Sequence, residues 1–287
     1  MSAQVLVNGL LLGGIYALIG VGFSLVWGVM NVINVAHGAF IMLGAFAAFW
    51  IFTLFGVDPL LSLPLTMGVL FLFGYGTQKL VINRVIRAPI FMTLILTFGL
   101  ELLLVNVALL LWTANPRSVI TPYSSAAFAV AGVQIPTARV AIFLVALLLA
   151  GGLQVFLTRT RTGNAIRATR MDLEAARLQG VRLDRVYALT FGLGAAMAGA
   201  AGALISTIGA ITPMMGIAYT AKAFAVCVLG GLGSITGALV GGLLLGLIEV
   251  VGAATIGPAY QDAISYLVLI VVLVLRPSGV LGQKYYQ

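Results

Sequence analysis

Polar and apolar positions along this chain are segregated into long blocks. No charged side chain precedes Asp58, and none falls between Asp58 and Lys79, between Arg139 and Arg159, or between Arg185 and Lys222. A helix needs about 20 mostly apolar residues to cross a bilayer, so each of these gaps accommodates at least one crossing. A transmembrane barrel would instead alternate polarity within segments of roughly ten residues. The continuous runs predict helices at about 5–29, 35–56, 60–77, 90–113, 139–157, 187–209, 217–230, 235–252 and 259–275. The segment 217–230 is short and carries Lys222. It reads either as a crossing or as a re-entrant half-helix, which is tolerated only where protein or a watery cavity shields its backbone. The expected fold is an all-α integral membrane protein, one polytopic bundle of eight or nine transmembrane segments spanning 1–287 as a single domain.

Composition agrees. Of 287 residues, 62% are hydrophobic and 8% charged, against about 25% charged in soluble domains. The net charge of +8 sits in the loops and calls for no nucleic acid. The segment 78–89 carries Lys79, Arg84 and Arg87 and no acid, and 158–186 carries seven arginines against Asp172, Glu174 and Asp184. Arg276 and Lys284 lie in the tail. The positive-inside rule puts these three regions in the cytoplasm, with the C-terminus, and Asp58, Asp262 and the 114–138 loop outside. Nine crossings would leave the N-terminus outside. The N-terminal run lacks a basic flank and a small-residue cleavage site, so it reads as the first span. Trp27, Trp50 and Trp112 fall near span ends, as interfacial anchors do. Gly233, Gly237 and Gly241 recur every fourth residue, as do Gly242 and Gly246, a spacing that favours close helix packing. One cysteine, Cys227, allows no internal disulfide, and one histidine argues against a metal site.

One stretch breaks the pattern. "RTGNAIRATRMDLEAARLQGVR" (161–182) holds seven of the 22 charged residues. From Gly163 to Gly180 its residues favour helix, with Asn164 as expected N-cap and Gly180 as stop. Arg167, Arg170, Glu174 and Arg177 share one face of such a helix; Ile166, Thr169, Leu173 and Ala176 share another. The segment is too short and polar to span. It suits either an interfacial helix on anionic lipid or a docking helix for a cytoplasmic partner. Its apolar stripe has no Trp or Phe, and its acids Asp172 and Glu174 suit a protein groove.

"LEAARLQG" (173–180) resembles the coupling loop of ATP-binding-cassette importer permeases, which carry Glu-Ala-Ala followed by a downstream Gly. "NGLLLGGIYALIGVGFSLVWGVMNVINVAHGAF" (8–40), "AFAVCVLGGLGSITGALVGGLLLGLIE" (223–249) and "RPSGVLG" (276–282) resemble LivH-type permeases of branched-chain amino acid transporters, and the resemblance spans essentially the whole chain. It implies a second, LivM-like permease subunit, two cytoplasmic ATPases, a periplasmic binding protein, and a place in the bacterial inner membrane. It implies that Gly163, Arg167, Arg170, Asp172, Glu174, Ala175, Ala176, Arg177 and Gly180 form the ATPase-coupling helix. Independently, a phosphate-cradling loop needs Gly-Lys-Ser/Thr, and Lys79, Lys222 and Lys284 follow Gln78, Ala221 and Gln283. No cofactor is expected on this chain, so ATP and Mg would belong to the ATPase partners.

Candidates for the translocation path are the polar residues of the apolar blocks: Asn31, Asn34, His37, Glu101, Lys222 and Glu249. Ionisable groups inside a membrane face the protein interior or water. His37 also fits a hydrogen-bonded packing role, since a lone histidine without a base or orienter is rarely catalytic. A Glu–Lys pair would serve structure as well as function. Two other functions compete. An ion-coupled carrier would use Glu101 and Glu249 as coupling acids, and related importers of urea or short amides share the permease architecture. No nucleophile–base set, histidine cluster or paired-acid motif points to an enzyme.

Overall fold

The computed structural model describes residues 3–86, 88–124, 126–130, 132–276, 279 and 280. Arg87, Lys284 and most of the 276–282 motif lie outside the described residues. Among the described residues eleven α-helices form the body: α1 Ala3–Met30, α2 His37–Phe55, α3 Pro59–Leu80, α4 Ile90–Trp112, α5 Thr137–Arg159, α6 Arg161–Met171, α7 Leu173–Leu178, α8 Leu183–Ile205, α9 Met215–Gly230, α10 Ile235–Thr255 and α11 Gln261–Leu275. Eight of the helical segments are long and apolar enough to cross a membrane; α9, at 16 residues, is shorter.

Contacts at the helix ends give the topology. The α9–α10 turn meets the end of α1, where a methyl group at Gly28 would lie 2.8 Å from the Gly233 Cα. Arg170 of α6 reaches the same turn, and the Val280 amide donates to the Leu229 carbonyl. This is the basic end of the bundle. At the opposite end, Gln4 pairs with the backbone of Gln134 (2.7 and 2.8 Å), and Arg117 pairs with Ile211. Residue 211 thus lies at one end and residue 230 at the other, so α9, completed by its 206–214 connection, passes between them. The first described residues share an end with the 114–138 loop, and the last share an end with the basic segments. The 114–138 loop also carries an antiparallel hairpin, β1 Ala127–Val130 and β2 Val133–Pro136, which no sequence pattern announced.

The core is α1 and α8. Each has 89% of its best membrane window buried, against 28% for α4 and α5. Small residues let the backbones close. Gly242 and Gly246 meet Ala17 and Gly13 of α1, while Gly237 and Gly241 meet Gly230 of α9. The two glycine stripes of α10 therefore serve two neighbours within the chain.

The connection between α1 and α2 departs most from a simple bundle. Asn31 adopts the left-handed conformation (φ 53°) and ends α1, its amide still bonded to the Trp27 carbonyl. Residues 31–36 then run back into the body. His37, the first residue of α2, bonds the Ile19 carbonyl through Nε2 at 3.2 Å. Ile19 lies about 16 Å along α1 from Met30 at 1.5 Å per residue. A non-helical segment at that depth must have its backbone groups satisfied by protein. Thr97 of α4 does this by accepting from the Val35 amide (3.1 Å) and donating to the Ile33 carbonyl (2.7 Å). Thr220 of α9 accepts from the Gly38 amide (2.9 Å) and contacts the Val35 carbonyl (3.2 Å). The close approach of α2 and α9 depends on glycine, since a methyl at Gly38 would collide with the Gly216 carbonyl.

Candidate functional site

Three polar features interrupt the apolar body. The first is the helix pair at the basic end. A single helix over 163–180 with an Asn164 cap was expected, and the structure corrects both points. Thr160 caps α6, its hydroxyl accepting from the Gly163 amide (2.9 Å). Asp172 takes an extended conformation (φ −154°, ψ 111°) that ends α6, and its carboxylate caps α7 by accepting from the Ala175 amide (2.9 Å). A side-chain oxygen offered to the N–H groups of the next turn competes with helix continuation. The break also removes the continuous faces expected for Arg167, Arg170, Glu174 and Arg177 and for Ile166, Thr169, Leu173 and Ala176. Ile166, Thr169 and Ala176 are buried, whereas Leu173 is exposed. Gly180 is left-handed (φ 80°) and terminates the unit as expected.

The pair is bound tightly on one side and free on the other. Gly163 sits so close to Leu157 that a side chain there would strike the α5 backbone. Arg167 and Arg170 line a small crevice with Leu25, Val29, Leu157, Gly233 and Ile235. Meanwhile Met171 and Leu178 are 84% and 86% exposed, and Glu174, Ala175 and Arg177 are exposed beside them.

The second feature is a charge cluster joining α1, α9, α10 and α11, buried except at Asp262. Lys222 Nζ lies 3.2 Å from Glu249 Oε1 and 2.9 Å from Asp262 Oδ1. It also donates to the Tyr16 hydroxyl at 2.8 Å, and Tyr16 donates in turn to Glu249 Oε2 at 2.5 Å. Gln261 donates to Glu249 Oε2 at 3.1 Å, and the Ser265 hydroxyl donates to Oε1. Glu249 is fully buried, so each of its oxygens needs these donors. The expected Glu–Lys pair is present; Tyr16, Gln261, Asp262 and Ser265 were not foreseen as its partners. Asp262 was placed on the outer side; it remains exposed, its side chain 63% accessible, and reaches Lys222 from the first turn of α11.

The third feature surrounds the α1–α2 break. Asn34, His37, Thr97 and Glu101 are all buried there or on the adjoining face of α4. His37 packs edge-on to Phe23 (5.5 Å between centroids). Asn34 Oδ1, His37 Nδ1 and Glu101 Oε1 have no hydrogen-bond partner among the described residues. Glu101 is not brought to Lys222, and Asn31 is exposed at the end of α1.

Two cavities mark the ends of the body. One of about 460 Å³ at the end carrying the hairpin is lined by Ser118, Ser124, Arg139, Ser206 and Thr207 among others. The other, about 1080 Å³, lies at the basic end between α3, α7 and the start of α8. Among the described residues no group of three or more His, Cys, Asp or Glu could hold a metal ion.

A multi-span helical body with buried polar groups at a helix break and a charged helix pair at one end defines a membrane permease. The chain belongs to the family described as branched-chain amino acid transport system / permease component, whose model matches residues 5–273. It is 37% identical to the high-affinity branched-chain amino acid transport system permease protein BraD of Pseudomonas aeruginosa, over 98% of this chain and 95% of the relative. It is 36% identical to the corresponding LivH of Escherichia coli K12, with the same coverage. A probable branched-chain amino acid transport permease protein LivH of Methanocaldococcus jannaschii is 27% identical over 97% of this chain. No solved structure matches the chain.

Proposed function

We propose that the protein is the membrane-spanning subunit of an ATP-binding-cassette importer that carries branched-chain amino acids across the bacterial inner membrane. The observation that supports this most is the agreement along nearly the whole chain with permeases of that transport class. In this reading the basic end faces the cytoplasm. The chain pairs with a second permease subunit and two ATPases, which bind the ATP and Mg. A periplasmic protein delivers the cargo at the hairpin end.

The α6–α7 pair suits the role of a handle. Its outer face offers Met171, Glu174, Arg177 and Leu178 to a partner, while its inner face is fixed to α5, α1 and the α9–α10 turn by Gly163, Ile166 and Arg170. A push on α7 therefore reaches α1 and α10 without passing through a flexible loop. The path would run beside the α1–α2 break, where Asn34, His37 and Glu101 supply polar groups for a zwitterion amid apolar walls. Reversing Glu174 to Arg tests the handle. The expected result is loss of ATP-driven uptake and of ATPase co-purification, with membrane insertion intact. Uptake that persists with the ATPase still attached would contradict the assignment.

A further inference from the structure

The 1080 Å³ cavity at the basic end is separate from the charge cluster and from the α1–α2 break. Four cations line it: Lys79 from the end of α3, Arg177 from α7, and Arg182 and Arg185 at the start of α8. Among the described residues none of the four makes an ion pair. Glu174 and Asp184 also line the cavity, leaving a surplus of two positive charges. Tyr75 and Tyr187 contribute phenol rings to its wall, residues that favour the level of lipid headgroups. Beside the cations the surface turns apolar, with Leu80 next to Lys79 and Leu72 and Phe73 one to two turns further up α3, all exposed. A cavity of this size exceeds what a bare inorganic anion fills, and the cations sit where an apolar helix surface meets polar loops.

We propose that this cavity seats the phosphate headgroup of an anionic phospholipid, with its acyl chains lying along α3. Basic pockets between transmembrane helices on the cytoplasmic side are built for such headgroups. The lipid would bridge α3, α7 and α8, and so link the bilayer to the α6–α7 pair. The inference takes from the proposed function only that the basic end meets a membrane surface.

The test is lipid titration of the intact permease complex, delipidated in detergent and followed by native mass spectrometry. Phosphatidylglycerol is expected to bind saturably and phosphatidylcholine to bind weakly. The Lys79→Gln, Arg182→Gln, Arg185→Gln triple variant should weaken phosphatidylglycerol binding by about tenfold or more. The Arg182→Lys, Arg185→Lys variant should retain it, because it keeps the charge. Equal binding of the two lipids by the unaltered complex would overturn the proposal. So would unchanged phosphatidylglycerol binding in a folded triple variant that sheds its ATPase, since the cavity would then receive an acidic segment of that partner. Inorganic phosphate that displaces the lipid at equal concentration would likewise overturn it in favour of a free-phosphate site. Glu174 also lines the cavity, so attachment of the ATPase separates the two readings: lost phosphatidylglycerol binding with the ATPase still attached concerns the lipid site alone, and a Glu174→Arg variant that loses the ATPase but keeps phosphatidylglycerol concerns the handle alone.

Discussion

Lys222 and Glu249 carry opposite charges into the packed interior, and neither can be removed alone without cost. A buried pair contributes little over an apolar replacement, but breaking it leaves an uncompensated charge at about 3–5 kcal/mol. Lys222→Met should therefore lower the melting temperature sharply, while Lys222→Met combined with Glu249→Leu should recover most of the loss. Additive losses in a double-mutant cycle would contradict the coupling. Outside the spans, Tyr123 donates to Asp58 at 2.8 Å, and the phenol is pushed up to about 12 by burial first and by that bond second. A raised folded value means the contribution is complete below the ordinary phenol value near 10 and is lost as pH rises through 12. Stability of the unaltered protein relative to Tyr123→Phe should fall over that window and stay flat below it. At this scale the sequence exposed the intramembrane charges, because such residues are rare among apolar runs. It did not expose Tyr16 or Ser265, whose roles depend on which helices adjoin.

Elements built from uniform apolar composition were legible from length alone. The predicted span 90–113 is α4, and 139–157 lies inside α5, because in a membrane the backbone must bond within each segment. Segments with local competition were less legible. Asp172 in "MDLEA" carries a capping side chain whose bond to the Ala175 amide splits the charged helix, a choice that helix propensity summed over 163–180 conceals. Asp172→Ala should cost about 1 kcal/mol in local stability through the lost cap, read as faster hydrogen exchange across α7. The α1–α2 break falls in the gap between the predicted spans 5–29 and 35–56, but its depth in the body was hidden, because 31–36 is held there by threonines more than 60 residues away. Thr97→Val would orphan the Ile33 carbonyl and Val35 amide at about 1–3 kcal/mol each. Thr97→Ser should restore thermal stability; a Val variant as stable as the unaltered protein would show that the break needs no such support.

The whole molecule combines a tightly packed centre, α1 with α8 and α10, with outer helices that remain largely exposed and apolar. Leu110 of α4 and Leu275 of α11 are 85% and 78% exposed, surfaces suited to lipid or a neighbouring subunit. At the basic end of that body the α6–α7 pair is anchored on one side and exposed on the other, the arrangement expected of a bundle moved from outside rather than self-driven. The most direct test is uptake of leucine into liposomes containing the reconstituted complex. Uptake should require ATP and the ATPase subunits, and it should vanish when this chain is reconstituted alone under a proton or sodium gradient. Gradient-driven uptake by the chain alone would contradict the account.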